Sequence, residues 1–235
     1  MAVRRASRAL AILTATLALF ACAREDPRLE GLVNLEPAPP STDRIRELEA
    51  LVEQHGETVS RKVEAGLRQA DALKLLAQEY MRHELYGPAL DALEEAIRIQ
   101  PRNHMLHYLA GVCAGFIGKA QARPDLREQS LARAELSYLN ALEISPDYID
   151  GRYALAVLYT FELGRPFDAI GQLRRILERS SGHIPSLFVL GRAHVELGNI
   201  DDAISAYDRI IAARVDDETR RAAERNRRLL LGGSQ

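Results

Sequence analysis

Tryptophan is absent from this sequence, and tyrosine and phenylalanine together make up only 6% of it. No stretch alternates Val, Ile or Thr with polar residues, which is the pattern of a half-buried strand. The charge surplus is also small, because 31 basic residues face 33 acidic ones and the formal net charge is −2. Nucleic acid is therefore not expected as a partner, since its binding requires a surplus of positive charge.

Cysteine is nearly absent as well and occurs only at positions 22 and 113. Cys113 lies among the small residues Ala110, Gly111 and Ala114, which is typical of a buried, unreactive thiol. Two cysteines with separate roles do not make a disulfide framework. The fold must then be held by packing, and a hydrophobic content of 47% is sufficient for a core.

The N-terminus contains an apolar run with no charge, residues 9–21, after a start that holds three arginines and no acid. A helix needs about 20 residues to span a bilayer, so this run is too short to do so. Its length and flanks favour a signal peptide over residues 1–21. Leu19-Phe20-Ala21-Cys22 resembles the lipobox of bacterial lipoproteins, with Phe20 in place of the usual small residue. An uncleaved anchor or an ordinary secretory signal remains an alternative.

The lipobox resemblance implies cleavage before Cys22 and acylation of that cysteine, with palmitate among the acyl chains. Ala23 follows where an Asp would favour retention in the inner membrane, so the expected location is the periplasmic face of the outer membrane. Residues 22–42 contain four prolines and no helical period. They predict a lipid attachment site followed by a flexible tether.

Helical periodicity starts at residue 43. Apolar residues recur on one face up to Gly56, and Val59, Val63 and Leu67 then follow at four-residue spacing. This pattern predicts N-terminal capping helices over residues 43–69.

A repeat follows. The segment ALDALEEAIRIQPRN, residues 89–103, returns as AELSYLNALEISPDY, residues 134–148, and looser copies begin at Ala169 and Ala203. Aligning the turns divides the chain into four units of two helices each, the second of which carries an insertion at 119–129 that predicts a solvated loop or a helix extension. The units are 70–103, 104–148, 149–183 and 184–217.

Small residues in these units, such as Ala77, Ala89 and Ala96, let two helices approach closely, and Leu76, Tyr80 and Leu93 fill the space beside them. The pattern resembles the tetratricopeptide repeat. That resemblance implies an all-α, right-handed superhelix of helix-turn-helix repeats. Residues 218–235 would form a C-terminal capping helix and tail, and the N-terminal helices would cover the other end.

No pattern predicts catalysis, a metal or a cofactor. The stretch GFIGKA lacks the residues of a phosphate-binding loop at two positions. His104 and His107 share a helical face, but no acid or cysteine completes a zinc site beside them. An enzyme is the least favoured class of function.

Tetratricopeptide proteins commonly hold a peptide on the concave side, which is lined by the first helices. A protein or peptide partner in the bacterial cell envelope is therefore predicted, bound by an adaptor or assembly factor. The residues of a carboxylate clamp are mostly missing, so an apolar helix or extended segment is the expected guest. The alternative is a self-associating scaffold, a homo-oligomer in which the N-terminal helices or a second copy fill the groove. The predicted groove residues are Lys74, Gln78, Arg82, Tyr108, Val112, Phe116, Tyr153, Val157, Phe161, Phe188 and Arg192.

Overall fold

The computed structural model describes residues 42–232. The predicted signal peptide, the predicted lipidation site at Cys22 and the tether before residue 42 lie outside the described residues. Within 42–232 the chain is helical and contains no strand, so the predicted all-α class is confirmed. Nine helices follow one another in this range: α1 (Thr42–Arg82), α2 (Tyr86–Ile99), α3 (His104–Ala120), α4 (Pro124–Ile144), α5 (Ile149–Phe161), α6 (Pro166–Arg179), α7 (Ile184–Glu196), α8 (Ile200–Ala212) and α9 (Asp217–Gly232).

The chain divides into two compact units, Met1–Ser60 and Arg61–Gln235, and the division falls within α1. The described part of the first unit is helical. Ion pairs one turn apart, such as Arg44 with Glu47 at 2.8 Å, lie along its surface. Its exposed apolar side chains are Ile45, Leu51, Val52 and Val59.

The sequence pattern predicted separate helices before residue 70, and the structure corrects this prediction. One helix of 41 residues runs from Thr42 to Arg82 without a break at Gly56. A glycine inside a helix costs only about 1 kcal/mol relative to alanine. The strong helix formers on both sides of Gly56 offset that cost, so the helix continues.

In the second unit, each helix from α2 onward packs against the next one in the chain, and α5 also contacts α3 and α7. Repeats two, three and four therefore each contain two helices that pack against each other, and the first helix of repeat three touches those of repeats two and four. The core lies between these pairs and includes alanines with no exposed surface, such as Ala89, Ala134, Ala169 and Ala203. Small side chains at these positions allow the close approach of helices.

Two glycines in this core are required by a close approach. A Cβ built on Gly111 would lie 2.6 Å from the ring of Tyr138, and one on Gly191 would lie 2.7 Å from the ring of Tyr207. The other two repeats hold Ala77 with Leu93 and Ala156 with Leu173 at the equivalent positions, all four with no exposed surface. A glycine thus packs against the large ring of a tyrosine in repeats two and four. An alanine takes its place where the second helix carries a leucine, in repeats one and three.

The insertion in the second repeat forms helix rather than a solvated loop. It lengthens both members of the pair, so that α3 has 17 residues and α4 has 21, with residues 121–123 between them. Leu131 of α4 packs in the extended part, where a Cβ on Gly118 would lie 2.8 Å from it. Pro124 occupies the first turn of α4, a position that proline favours.

The part of α1 in the second unit carries exposed apolar side chains. Leu75 and Leu76 are 62% and 45% exposed, although Leu76 was predicted to fill the space between helices. Residues 61–69 continue the same helix, and a helix cannot cover its own outer face. The cover of this end by N-terminal helices stays a prediction. At the opposite end, α9 packs on α8 and buries Ala223.

Within residues 42–232, every helix is too short or too polar to cross a membrane.

Candidate functional site

The first helices of repeats two and three form one side of an elongated groove. Tyr108, Val112 and Phe116 follow one another at single-turn spacing on α3, and Tyr153 and Val157 do so on α5. All five line a cavity of about 290 Å³, here called the central pocket. Its full lining is Tyr108, Val112, Gly115, Phe116, Lys119, Tyr138, Tyr153, Ala154, Val157, Leu158 and Glu162.

The aromatic rings of the central pocket are held by neighbouring rings. The ring centroid of Tyr108 lies 6.1 Å from that of Tyr138. It lies 5.3 Å from the ring centroid of Tyr148, and these two rings are arranged edge to face. Phe116 stacks on Tyr86 at 4.4 Å with the rings nearly parallel, yet remains 45% exposed. Such contacts fix the orientation of the rings before any partner arrives.

A second cavity of about 450 Å³, here called the end pocket, lies where repeat four meets α9. Phe188 of α7 and Tyr207 of α8 form its base, with ring centroids 6.3 Å apart. Arg192 on the rim pairs with Glu196 at 3.1 Å. The lining is Phe161, Phe188, Val189, Arg192, Val195, Tyr207, Asn226, Leu229 and Leu230.

Helix α5 connects the two pockets. Val157 lines the central pocket, and Phe161, one turn later, lines the end pocket. A single turn of helix rises only about 5.4 Å, so the pockets are neighbours along the groove. Phe161 is 52% exposed and therefore presents much of its ring to solvent at the junction.

The first-repeat members of the predicted groove lie elsewhere. Lys74, Gln78 and Arg82 are on α1 and line neither pocket. Lys74 pairs with Asp71 at 3.0 Å, and Arg82 pairs with Glu79 within the same helix. The eight remaining predicted residues, from Tyr108 to Arg192, line one pocket or the other.

Sequence reasoning missed the contributions of second helices and of α9. Tyr138 belongs to the repeated segment 134–148, and its ring also forms a wall of the central pocket. Leu229 and Leu230 were assigned only to a cap, and they line the end pocket. Lys119 could have been found from its position one turn after Phe116 on the same helix.

The tyrosines of the central pocket remain protonated. Burial raises the pKa of Tyr108, and the nearby carboxylate of Asp150 raises it further. Burial also raises the pKa of Tyr138 and of Tyr153. A neutral phenol has a hydrogen to donate, so these rings combine an apolar face with a donor.

The described residues show little that could do chemistry. In residues 42–232, no group of three or more His, Cys, Asp or Glu side chains is arranged to hold a metal ion. His183 Nδ1 lies 2.7 Å from Ser186 Oγ, but the pair caps the start of α7 and Ser186 is fully buried. Burial raises the pKa of the Cys113 thiol to about 12, which makes it a poor nucleophile at neutral pH.

These features define a helical-repeat protein whose first helices and last helix form a groove. Residues 160–225 match the profile of a family described as tetratricopeptide repeat. A tetratricopeptide repeat-containing protein of Borreliella burgdorferi is 23% identical over 185 residues, which cover 79% of this chain and 80% of the relative.

Solved structures of tetratricopeptide-repeat proteins share the fold. A thermophilic one from Thermus thermophilus superposes with a TM-score of 0.59 at 17% identity, covering 77% of this chain and 93% of the other. YrrB, described as a tetratricopeptide-repeat protein with an unusual peptide-binding site, has a TM-score of 0.54 at 19% identity, covering 75% of this chain and 88% of the other. The predicted superhelix of helix-turn-helix repeats is thus confirmed, and the sequence match covers its last part.

Proposed function

We propose that this protein is a non-catalytic adaptor that binds an apolar helix or an extended peptide of another protein in its groove. The observation that carries the proposal is the pair of adjacent pockets along α5, lined by aromatic and aliphatic side chains that are partly open to solvent. Apolar concave sites with a few convergent polar groups are the usual form of a binding site.

Phe161 is the best residue for a test, because it stands at the junction of the pockets and is 52% exposed. Tyr108, Tyr153 and Phe188 are less suitable, since they are half-buried and pack against the core. Truncating them would change stability together with binding. Phe167, 79% exposed on α6 and outside both pockets, is a matched control.

The experiment begins with peptides selected from a random twelve-residue display library on the wild-type protein. Phe161→Ala should weaken the selected peptides by about tenfold or more, because aromatic anchors carry about 2 kcal/mol of interface energy. Phe167→Ala should leave the affinity unchanged, as measured by calorimetry. Failure to select any peptide would contradict the adaptor hypothesis. Equal losses of peptide affinity for the two variants would contradict it as well.

The same variants test the alternative scaffold. Light scattering over a range of concentrations would show an oligomer for the wild-type protein if a second copy occupies the groove. Phe161→Ala would then convert that oligomer to a monomer, and Phe167→Ala would not. A wild-type monomer at every concentration excludes a second copy as the occupant.

We further propose that the adaptor is a lipoprotein held at the periplasmic face of the outer membrane through Cys22. The support is the N-terminal sequence, in which a basic start and a short apolar run precede Leu19-Phe20-Ala21-Cys22. Two acyl chains are enough for stable anchoring.

Metabolic labelling with a fatty-acid analogue tests this location. The wild-type protein should incorporate the label and enter the detergent phase, and Cys22→Ser should do neither, while Cys113→Ser serves as the control. An unlabelled wild-type protein found entirely in the soluble envelope fraction would overturn the lipoprotein assignment.

A further inference from the structure

We infer that the central pocket selects a partner segment in which an acidic residue stands beside a bulky apolar one, and that Lys119 determines this preference. The inference rests on the proposed binding of a peptide in the groove. It goes further by specifying the chemistry of the bound segment and the residue of this protein that recognises it.

Lys119 is the first observation. It lies in the last turn of α3, is exposed, and lines the central pocket. Its ammonium group forms no ion pair with any side chain in residues 42–232. The other charged groups on the two rims are compensated: Glu162 pairs with Arg127 at 2.5 Å, and Arg192 pairs with Glu196 at 3.1 Å.

The tyrosine hydroxyls are the second observation. Tyr108, Tyr138 and Tyr153 all line the central pocket, and none of their hydroxyls hydrogen-bonds to a group in the described part of the chain. All three are held in the protonated form by burial, so they can donate. The pocket therefore offers several hydrogen-bond donors to a bound group that supplies acceptors.

A carboxylate meets both requirements. It accepts hydrogen bonds and carries no proton of its own, and its charge matches the ammonium of Lys119. Asp150 lies near Tyr108 and disfavours a second negative charge at that end. The acidic residue of the partner is thus placed towards Lys119, in the last turn of α3.

The size of the pocket limits what accompanies the carboxylate. A volume of about 290 Å³ is at the small end for ligand sites. It accommodates one large apolar side chain against Val112 and Val157, rather than a folded surface. The neighbouring end pocket then receives a second apolar residue of the same segment.

Selection of peptides from a random twelve-residue display library tests the inference with three proteins. These are the wild type, Lys119→Glu and the control Lys62→Glu, which changes an exposed lysine of α1 that lines neither pocket. Wild type and Lys62→Glu should both enrich Asp or Glu next to a bulky apolar residue. Lys119→Glu should instead enrich Lys or Arg, and it should bind the best wild-type peptide about tenfold more weakly.

The outcomes separate the inference from the function on which it rests. If no peptide is selected by the wild-type protein, the proposed function and the inference both fail. If peptides are selected without acidic enrichment, or if Lys119→Glu selects the same sequences as Lys62→Glu, the adaptor stands and the inference is overturned. Lys119→Gln, which removes the charge without reversing it, should lose the acidic preference; retention of that preference would also overturn the inference.

Discussion

At the scale of single residues, close packing decides where glycine is needed in the core. Gly111 leaves room for the ring of Tyr138, which is only 6% exposed and would lie 2.6 Å from an added Cβ. Gly171 lies inside a helix as well, but a Cβ there would meet nothing within 4 Å. The same substitution at these two positions should therefore have opposite effects.

Gly111→Ala should lower the free energy of unfolding by up to about 2 kcal/mol. Overpacking a core costs about 1 to 3 kcal/mol, and the better helix propensity of alanine returns only about 1. Gly171→Ala should raise the free energy of unfolding by up to about 1 kcal/mol, because alanine has the better helix propensity. Urea unfolding of the three proteins measures both changes.

The double variant Gly111→Ala, Tyr138→Leu provides the decisive comparison, because it recreates the alanine and leucine found in repeats one and three. It should recover at least half of the loss caused by Gly111→Ala alone. Additive losses for the two substitutions would show that the ring does not occupy the space above Gly111.

At the scale of elements, the turn inside repeats one, three and four depends on one residue with a left-handed backbone. Gly164 and Gly198 have φ of +59° and +72° in repeats three and four, and Glu84 has φ of +59° in repeat one. Leu85 N–H then donates to the carbonyl of Tyr80, and Asn199 N–H donates to that of His194, which closes the preceding helix. A residue with a Cβ is strained in this conformation by about 1 to 2 kcal/mol.

Glu84→Gly should therefore raise the free energy of unfolding by about 0.5 to 1 kcal/mol, since glycine relieves the strain but loses more entropy on folding. Gly198→Ala should lower it by about 1 kcal/mol. Thermal unfolding monitored by circular dichroism measures both variants. A loss of stability in Glu84→Gly would mean that the Glu84 side chain makes a contact worth more than the strain.

Much at the scale of elements could be predicted from the sequence. The helix pairs were predictable because apolar residues recur at helical spacing and turns recur at the spacing of the repeat. The continuity of α1 was not predicted, because the apolar pattern breaks at Gly56. The cost of one glycine is small, and the helix formers beside it offset that cost. The insertion was ambiguous because charged residues with one proline suit a loop and the first turn of a helix equally.

The candidate site was predictable only in part, for a geometric reason. Residues at equal positions on successive first helices, such as Tyr108 and Tyr153, line the same pocket because the repeat brings those helices side by side. Walls contributed by other elements, such as Tyr138 and Leu230, depend on how far the helices are apart and how they cross. A pattern along one helix contains no information on that separation.

At the scale of the whole repeat array, the two ends differ. Helix α9 packs on α8 and buries Ala223, whereas Leu75 and Leu76 at the other end remain exposed. Each repeat contacts only its neighbours, so stability is a sum of local terms and an end with fewer contacts opens first.

Amide hydrogen exchange should show this asymmetry. Protection should be lowest in residues 61–82 of α1 and in α2, and highest in α5, α6 and α7, which have neighbours on both sides. Opening free energies that differ by about 1 kcal/mol or more between these groups would agree with the asymmetry. Uniform protection across α2 to α8 would instead mean that the array unfolds as one cooperative block.

The pairing of Gly111 with Tyr138 and of Gly191 with Tyr207 also bears on how such a chain can change over generations. A repeat that starts with alanine and leucine at these places cannot acquire the ring first without a clash, whereas losing the methyl group first leaves only a small void. The order through glycine is thus the easier one, and once the ring is present a step back to alanine costs stability. Packing alone thus favours one order for the two substitutions in any repeat that exchanges a leucine for a tyrosine.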